Sequence, residues 1–256
     1  MGVGLIWRVV SASVAGTSHL ANGTRCDDSC WALGEQAGNG DDFLWAFVAD
    51  GAGSASHGGQ GAEIAMEAVA EVMATKTGAG EYGVNDELAV EFVLAVRSRI
   101  QAQASACGLQ LRDFACTLLG VVSRPDVALL LQVGDGGIVV SNGGPLEVPI
   151  APMSGEYANM THFVTDENAV ENLQTVLYPS SLSKAALFSD GIQRLALNMA
   201  ENTAHEPFFA PFFKGLADAK PELEDQLCEA LARFLASDAV NQRTDDDKTL
   251  VIAVRT

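Results

Sequence analysis

Positive charge is what this sequence lacks most: 15 Lys and Arg stand against 33 Asp and Glu, a formal net charge of −18 over 256 residues. Such a balance offers no basic footprint for nucleic acid or an anionic membrane, so neither is expected as a partner. An anionic substrate would need local positive charge, most simply bound cations. The bland reading of the same excess is solubility. A long apolar run is missing too. Residues 1–14 alternate, as in VGLIWRVVSASV, without a charged start and a continuous apolar stretch, and read as a first strand, not a signal peptide or membrane span. Ile6 occupies the place where a myristoylation signal beginning Met1-Gly2 would want Ser or Thr. There are five cysteines, an odd number, and Cys107, Cys116 and Cys228 lie in apolar surroundings, as buried reduced thiols of a cytoplasmic protein do. Cys26 and Cys30 form a C-x₃-C pair with no second Cys/His pair beside it, so a soft-metal site is not expected. Repeats, linkers and low-complexity stretches are absent, and residues 1–256 are expected to form a single domain.

What is present is a well-apolar chain, 48% hydrophobic and 19% charged, with four aspartates in short acidic or glycine signatures. They are Asp28 in RCDDSCWA, Asp50 in FLWAFVADGAGSA, Asp190 in AALFSDGI, and Asp246 or Asp247 in TDDDKTLVIAVRT. Three of the four adjoin runs rich in Val, Leu, Ile, Phe and Trp, as buried strands are. Desolvation at the rim of an apolar sheet makes an unpaired carboxylate costly, and several together call for a cation. Hard oxygen-ligated ions such as Mg²⁺ or Mn²⁺ suit such ligands.

Strands are expected over 1–14, 29–34, 43–49, 184–189 and 249–254, with a hairpin of buried strands in CTLLGVVS and VALLLQV around Arg124-Pro125-Asp126. Residues 16–25 read as a loop, 37–42 as a turn, and 51–61 hold five glycines, so the backbone there can approach a ligand closely. Ile64, Ala65, Ala68, Val69, Val72 and Met73 recur with helical period. Asn85 caps a second helix with the stripe Leu88, Phe92, Val96 and Ile100, and Pro221-Glu222 opens a last one to about Ala236. Residues 151–179 carry no clear pattern. Strands followed by helices, then strands again, indicate an α+β fold with antiparallel sheets covered by helices.

The ordered set DD, V-A-D-G-x-G, V-G-D, S-D-G and D-D-x-T-hydrophobic resembles the metal-dependent Ser/Thr protein phosphatases of type 2C, and spans about Ala15 to Val254. AGTSH…CDDSC and DGAGSA look most like the short bacterial cytosolic members. The resemblance implies a four-layer α-β-β-α sandwich, two antiparallel sheets flanked by helix pairs, with a flap near 151–180. It implies two Mn²⁺ or Mg²⁺ ions and hydrolysis of phospho-Ser/Thr, with phospho-Tyr in reach, by direct attack of a hydroxide bridging the ions. Asp50 matches the bridging carboxylate and Gly51 the backbone carbonyl ligand. Asp190 and Asp246 match terminal ligands, with Asp246 preferred over Asp247 because D-D-K-T follows the family's D-N-x-[ST] pattern. Asp27 and Asp28 match an acidic pair acting mostly through water, and Asp28 joins Asp50 as catalytic. Asp135 matches the holder of a weaker third ion. Where many members carry a general-acid His, this chain has Ala52, leaving His57 and His19 as candidates. Arg25 is the candidate for the family's phosphate-binding Arg, though it stands one or two positions late. The expected partner is a phosphoprotein made by a Ser/Thr kinase, and the expected state a monomer. The competing readings are a pseudophosphatase that binds phosphoprotein or metal without turnover, and a scaffold with acidic strand ends.

Overall fold

The computed structural model describes residues 6–36, 41–79, 83–151 and 161–256. In chain order, β1 (Trp7–Val14), α1 (Thr17–Asn22), β2 (Asp28–Gln36) and β3 (Asp42–Asp50) precede two long helices, α2 (Gly58–Ala79) and α3 (Asp86–Cys107). Five strands follow: β4 (Leu118–Ser123), β5 (Ala128–Val133), β6 (Gly137–Ser141), β7 (Gln174–Tyr178) and β8 (Lys184–Phe188). A short helix α4 (Gln193–Ala196) leads into a two-stranded ribbon of β9 (Leu197–Asn198) and β10 (Thr203–Ala204). Helices α5 (Glu206–Asp218), α6 (Glu224–Leu235) and α7 (Asp238–Asn241) precede the closing strand β11 (Lys248–Arg255).

The strands build two antiparallel sheets, β1-β11-β8-β6 and β2-β3-β4-β5-β7. Three apolar layers result, because each central strand buries both its faces. In β3, Trp45, Phe47 and Ala49 pack toward α2 and α3, while Leu44, Ala46 and Val48 pack between the sheets. In β11, Val251 and Ala253 share that inner layer, whereas Leu250, Ile252 and Val254 meet Phe209, Phe213, Leu231 and Leu235 of α5 and α6. Period-2 geometry sends alternate side chains to opposite faces. The product is the expected α-β-β-α sandwich.

The α3 expectation is met in detail. Asn85 is extended and its side chain accepts from Leu88 N–H, while Asp86 and Glu87 sit in the positive first turn. Leu88, Phe92, Val96 and Ile100 are all buried. Elsewhere the structure differs. Residues 16–25, expected as a loop, contain α1, ended by Gly23 in the left-handed region at φ 68°. Pro221–Leu223 form a 3₁₀ turn before α6 proper. Nothing was expected between 193 and 220, yet α5 lies there, with Pro207 tolerated in its first turn and Pro211 inside it, because its Phe209, Phe213 and Leu216 are buried on the sheet. Parts of the expected first strand, the 37–42 turn and the 151–179 stretch lie outside the described residues.

Phe47 is the anchor of the outer layer on the α2–α3 side: fully buried, it stacks on Trp31 at 6.2 Å and meets Phe92 edge-on at 4.9 Å. Replacing Phe47 with Ala is expected to cost about 3–5 kcal/mol in urea unfolding. A loss under about 1 kcal/mol would show that this layer is not close-packed.

Candidate active site

The inner layer ends at one rim of the sandwich, and there the alternation delivers acid instead of hydrocarbon. Asp50 follows Leu44, Ala46 and Val48 on the inner face of β3, and its register partner on β2 is Asp28. Like charges directly opposite across a ladder destabilise it. Ser189 ends β8, and its hydroxyl donates to Asp28 Oδ2 at 2.7 Å while accepting from Thr249 N–H at 3.0 Å. Thr249 in turn donates to Ser13 Oγ at 2.7 Å. A polar cap therefore joins β1, β2, β8 and β11 over the inner layer. It leaves Asp28 Oδ1 and Asp190 Oδ1 buried without any partner. Orphaned acceptors of this kind cost roughly 1–3 kcal/mol or more each unless a ligand meets them.

Close backbone packing sets the remaining positions. A Cβ on Gly51 would come within 2.3 Å of the Gly58 carbonyl carbon, so only glycine lets the chain turn from β3 past the start of α2. A Cβ on Gly191 would lie 1.8 Å from the Asp247 carbonyl oxygen, so the turn after β8 presses against the strand entry that carries Asp246. Asp247 faces inward, 3% exposed, and accepts from the backbone N–H groups of Gly16 and Asp27 and from His19 Nδ1. Its neighbour Asp246 is exposed. The two therefore differ in packing: Asp247 is tied to Gly16, Asp27 and His19, whereas Asp246 is exposed and accepts only from the Asp247 N–H at 2.9 Å among the described residues.

Asp50, Gly51, Asp135, Asp190, Asp246 and His19 line one cavity of about 210 Å³. Buried Asp28 lies behind it. The Asp50 and Asp190 carboxyls lie close enough to perturb each other's titration. Among the described residues no three His, Cys, Asp or Glu side chains are closed to the spacing of a single ion's ligands; the carboxylates surround a shared space instead. Burial, then the charges of Asp28 and Asp190, raises the Asp50 pKa well above the usual carboxylate range. Burial, opposed by the Ser189 and Thr249 hydrogen bonds, raises Asp28 to about 7. Burial with the charges of Asp135 and Asp246 raises Asp190 to about 6. An all-carboxylate donor set with stranded oxygens fits a hard divalent cation.

The other candidates lie further out. Arg25 and His57 line a neighbouring cavity of about 370 Å³ with Asp27, Ser56 and Glu63. The His57 ring packs against Phe114 at 5.1 Å, with Nδ1 2.9 Å from Ser56 Oγ. Asp135 accepts from the Thr161 hydroxyl at 2.5 Å, and Gln193 holds its carbonyl at 2.7 Å. Ser189, Thr117 and Thr161 were missed in the sequence. Only Ser189 carried a signal there, as the residue before the S-D-G aspartate. Thr117 accepts from Asp50 N–H at 2.9 Å and fixes that strand end.

A sequence model of the family described as protein phosphatase 2C matches residues 15–236 of this chain. The chain belongs to the protein phosphatase 2C family. It is 52% identical over 248 residues to serine/threonine-protein phosphatase 3 of Escherichia coli K12, covering 97% of this chain and 98% of that one. Its fold matches the Mycobacterium tuberculosis serine/threonine phosphatase PstP/Ppp with a TM-score of 0.65 at 16% identity, over 98% of this chain and 99% of that one. The catalytic domain of PstP in complex with two manganese ions matches with a TM-score of 0.63 at 16% identity, over the same shares of the two chains. In this member of the protein phosphatase 2C family, the signatures DD, DG, GD, SDG and DD sit at one rim of the sandwich.

An acid whose folded pKa is raised binds more protons folded than unfolded, so stability falls as pH climbs from the unfolded value to the folded one. For Asp28 and Asp190 that window runs from about 4 in the unfolded chain up to about 7 and about 6 respectively. Metal-free protein is therefore expected to lose stability to this cluster across that range, and divalent ions to restore it increasingly as pH rises. Asp50→Asn, which removes one charge, should raise the metal-free melting temperature at pH 7.5 by about 2–8 °C and abolish the gain from Mn²⁺. Calorimetric scans in chelator check this; an Asn variant no more stable than wild type contradicts it.

Proposed function

We propose that this chain is a divalent-metal-dependent phosphoprotein phosphatase that hydrolyses phosphoserine and phosphothreonine, with phosphotyrosine as a further substrate. The observation carrying the reading is the convergence of Asp50, Asp135, Asp190 and Asp246, from four distant stretches, on one cavity backed by the buried oxygens of Asp28. Asp50 would bridge two Mn²⁺ or Mg²⁺ ions with help from the Gly51 carbonyl. Asp190 and Asp246 would complete the set, Asp27 and Asp28 acting through water and Asp135 holding a third ion. When bound, the ions supply a nucleophilic water and neutralise charge on the phosphoryl oxygens.

The protein's own groups do the positioning. Asp28, fixed by Ser189, keeps one buried oxygen without a partner beside Asp50 and would orient a water there. Ala52 puts no proton donor at the cavity wall, which favours substrates whose leaving group departs without help, aryl phosphates foremost. The described end of the 151–180 segment borders the site through Thr161 and Phe163, in keeping with a flap that influences substrate choice within a single catalytic domain. All five cysteines are free thiols, in keeping with a reducing cytoplasm. We read the enzyme as a monomer acting on products of a Ser/Thr kinase.

Wild-type protein should hydrolyse p-nitrophenyl phosphate and a phosphothreonine peptide only with Mn²⁺ or Mg²⁺ added. Asp50→Ala should lose turnover by on the order of a thousandfold or more, together with Mn²⁺ binding in calorimetry. Full turnover by that variant would sink the mechanism. Tight Mn²⁺ binding by wild type without any turnover would instead favour the silent, phosphoprotein-binding alternative.

A further inference from the structure

The cavity that gathers the acids has five aspartates in its wall and, among the described residues, a single nitrogen-bearing side chain, His19. Ser54, Thr117 and Thr161 add neutral hydroxyls to this wall, but the ring is its one side chain able to carry positive charge. The ring is held from several sides. Its Nδ1 lies 2.8 Å from both carboxylate oxygens of Asp247, and Asp247 is itself immobilised by the Gly16 and Asp27 backbone N–H groups. The short helix carrying His19 is tied to the same strand entry, because Ser18 donates through both its N–H and its hydroxyl to the Asp245 carbonyl, at 3.0 and 2.8 Å. Among the described residues the other ring nitrogen has no hydrogen bond: Nε2 lies 3.7 Å from Asp27 Oδ2, beyond bonding reach. Burial opposes a charge on the ring, but Asp247, then Asp27 and Asp246, outweigh it and raise its pKa above the ordinary histidine value. With Nδ1 committed to Asp247, Nε2 is the ring nitrogen left to meet a ligand.

We propose that His19, oriented by Asp247, is the phosphate seat of this enzyme, its free Nε2–H donating to a non-bridging oxygen of the substrate's phosphoryl group. The proposal rests on the phosphatase reading above and refines which residue recognises the substrate. Arg25 faces the adjoining cavity and makes no ion pair among the described residues, whereas His19 shares a wall with Asp50, Asp190 and Asp246. The Asp247 pair also gives a role to the aspartate that stands where the family pattern has Asn: a carboxylate orients the ring as an amide can and attracts its charged form as well. A ring stabilised as the cation by a buried carboxylate is a good binding donor and a reluctant proton donor. This separates the role from general-acid work.

The test compares wild type with His19→Ala, His19→Arg and Asp247→Asn. Calorimetry measures Mn²⁺ binding and then inorganic phosphate binding to the Mn²⁺-loaded protein; kinetics use p-nitrophenyl phosphate and a phosphothreonine peptide. His19→Ala is expected to weaken phosphate binding and raise KM for both substrates by about 10- to 100-fold, with kcat and Mn²⁺ affinity within a few-fold of wild type. His19→Arg should recover most of the loss, and Asp247→Asn should show a smaller loss of the same kind. Unchanged phosphate binding in His19→Ala overturns the proposal, as does a greater loss in Arg25→Ala. A fall in kcat confined to the peptide, with p-nitrophenyl phosphate spared, also overturns it, marking a general acid instead. If His19→Ala loses Mn²⁺ as well, His19→Arg decides: failure to regain both metal and phosphate overturns the phosphate seat. Absence of wild-type turnover would refute the phosphatase reading alone, since the phosphate titration needs no turnover.

Discussion

Repulsion among carboxylates brought out of water governs this molecule. Asp28 and Asp50 face each other across a ladder, the charge of Asp190 bears on Asp50, and Asp135 and Asp246 add charge from the cavity wall. Nothing in the apolar layers needs this arrangement, which costs the metal-free fold stability as soon as the acids ionise. The rest of the structure serves to hold it. Two sheets clamp three apolar layers, the Ser13–Thr249–Ser189–Asp28 relay stitches four strands together at the rim, and glycines at 51 and 191 allow backbone contacts no side chain would permit. A cation turns the same geometry from a liability into a binding site.

Positive charge near the cluster is rationed. Lys248 is fully buried, donating to Asn241 Oδ1 at 2.7 Å, and it stands behind Asp247, outside the cavity lining. His19 stands at the cavity itself. With little protein-borne positive charge in the wall, attraction of an anionic substrate would fall to bound metal and, as proposed above, to one oriented ring. A net charge of −18 makes that division matter, because the long-range field of the chain repels phosphoproteins until they reach this mouth.

Much of this was legible in the one-dimensional chain, and the reasons are local. Asn85 with Asp86 and Glu87 announced α3 because capping is chemistry within one turn. Asp50, Asp190 and the 246–247 pair stood out because each abuts a strand or its entry, where an acid breaks an apolar run. The misses are tertiary. Helix α5 carries Pro207 and Pro211 and forms because Phe209 and Phe213 are buried on the first sheet, a contact that local propensity does not contain. Helix α1 exists in a stretch whose glycines read as loop, tied down by Asp245 and Asp247 more than 220 residues away.

The sequence by itself determined the sheet-and-helix composition, the acidic signatures and their order, and through them the family. That information lies in short stretches, where strand period, helix caps and acid next to apolar runs act over a few residues. Which aspartate turns inward was decided only in three dimensions: the Gly16 and Asp27 backbone N–H groups and the His19 ring converge on Asp247 and leave Asp246 exposed. The same holds for the pairing of His19 with Asp247 and the placing of Arg25 in the adjoining cavity. Those relations depend on how the two sheets meet at the rim, and no neighbouring residue along the chain encodes that.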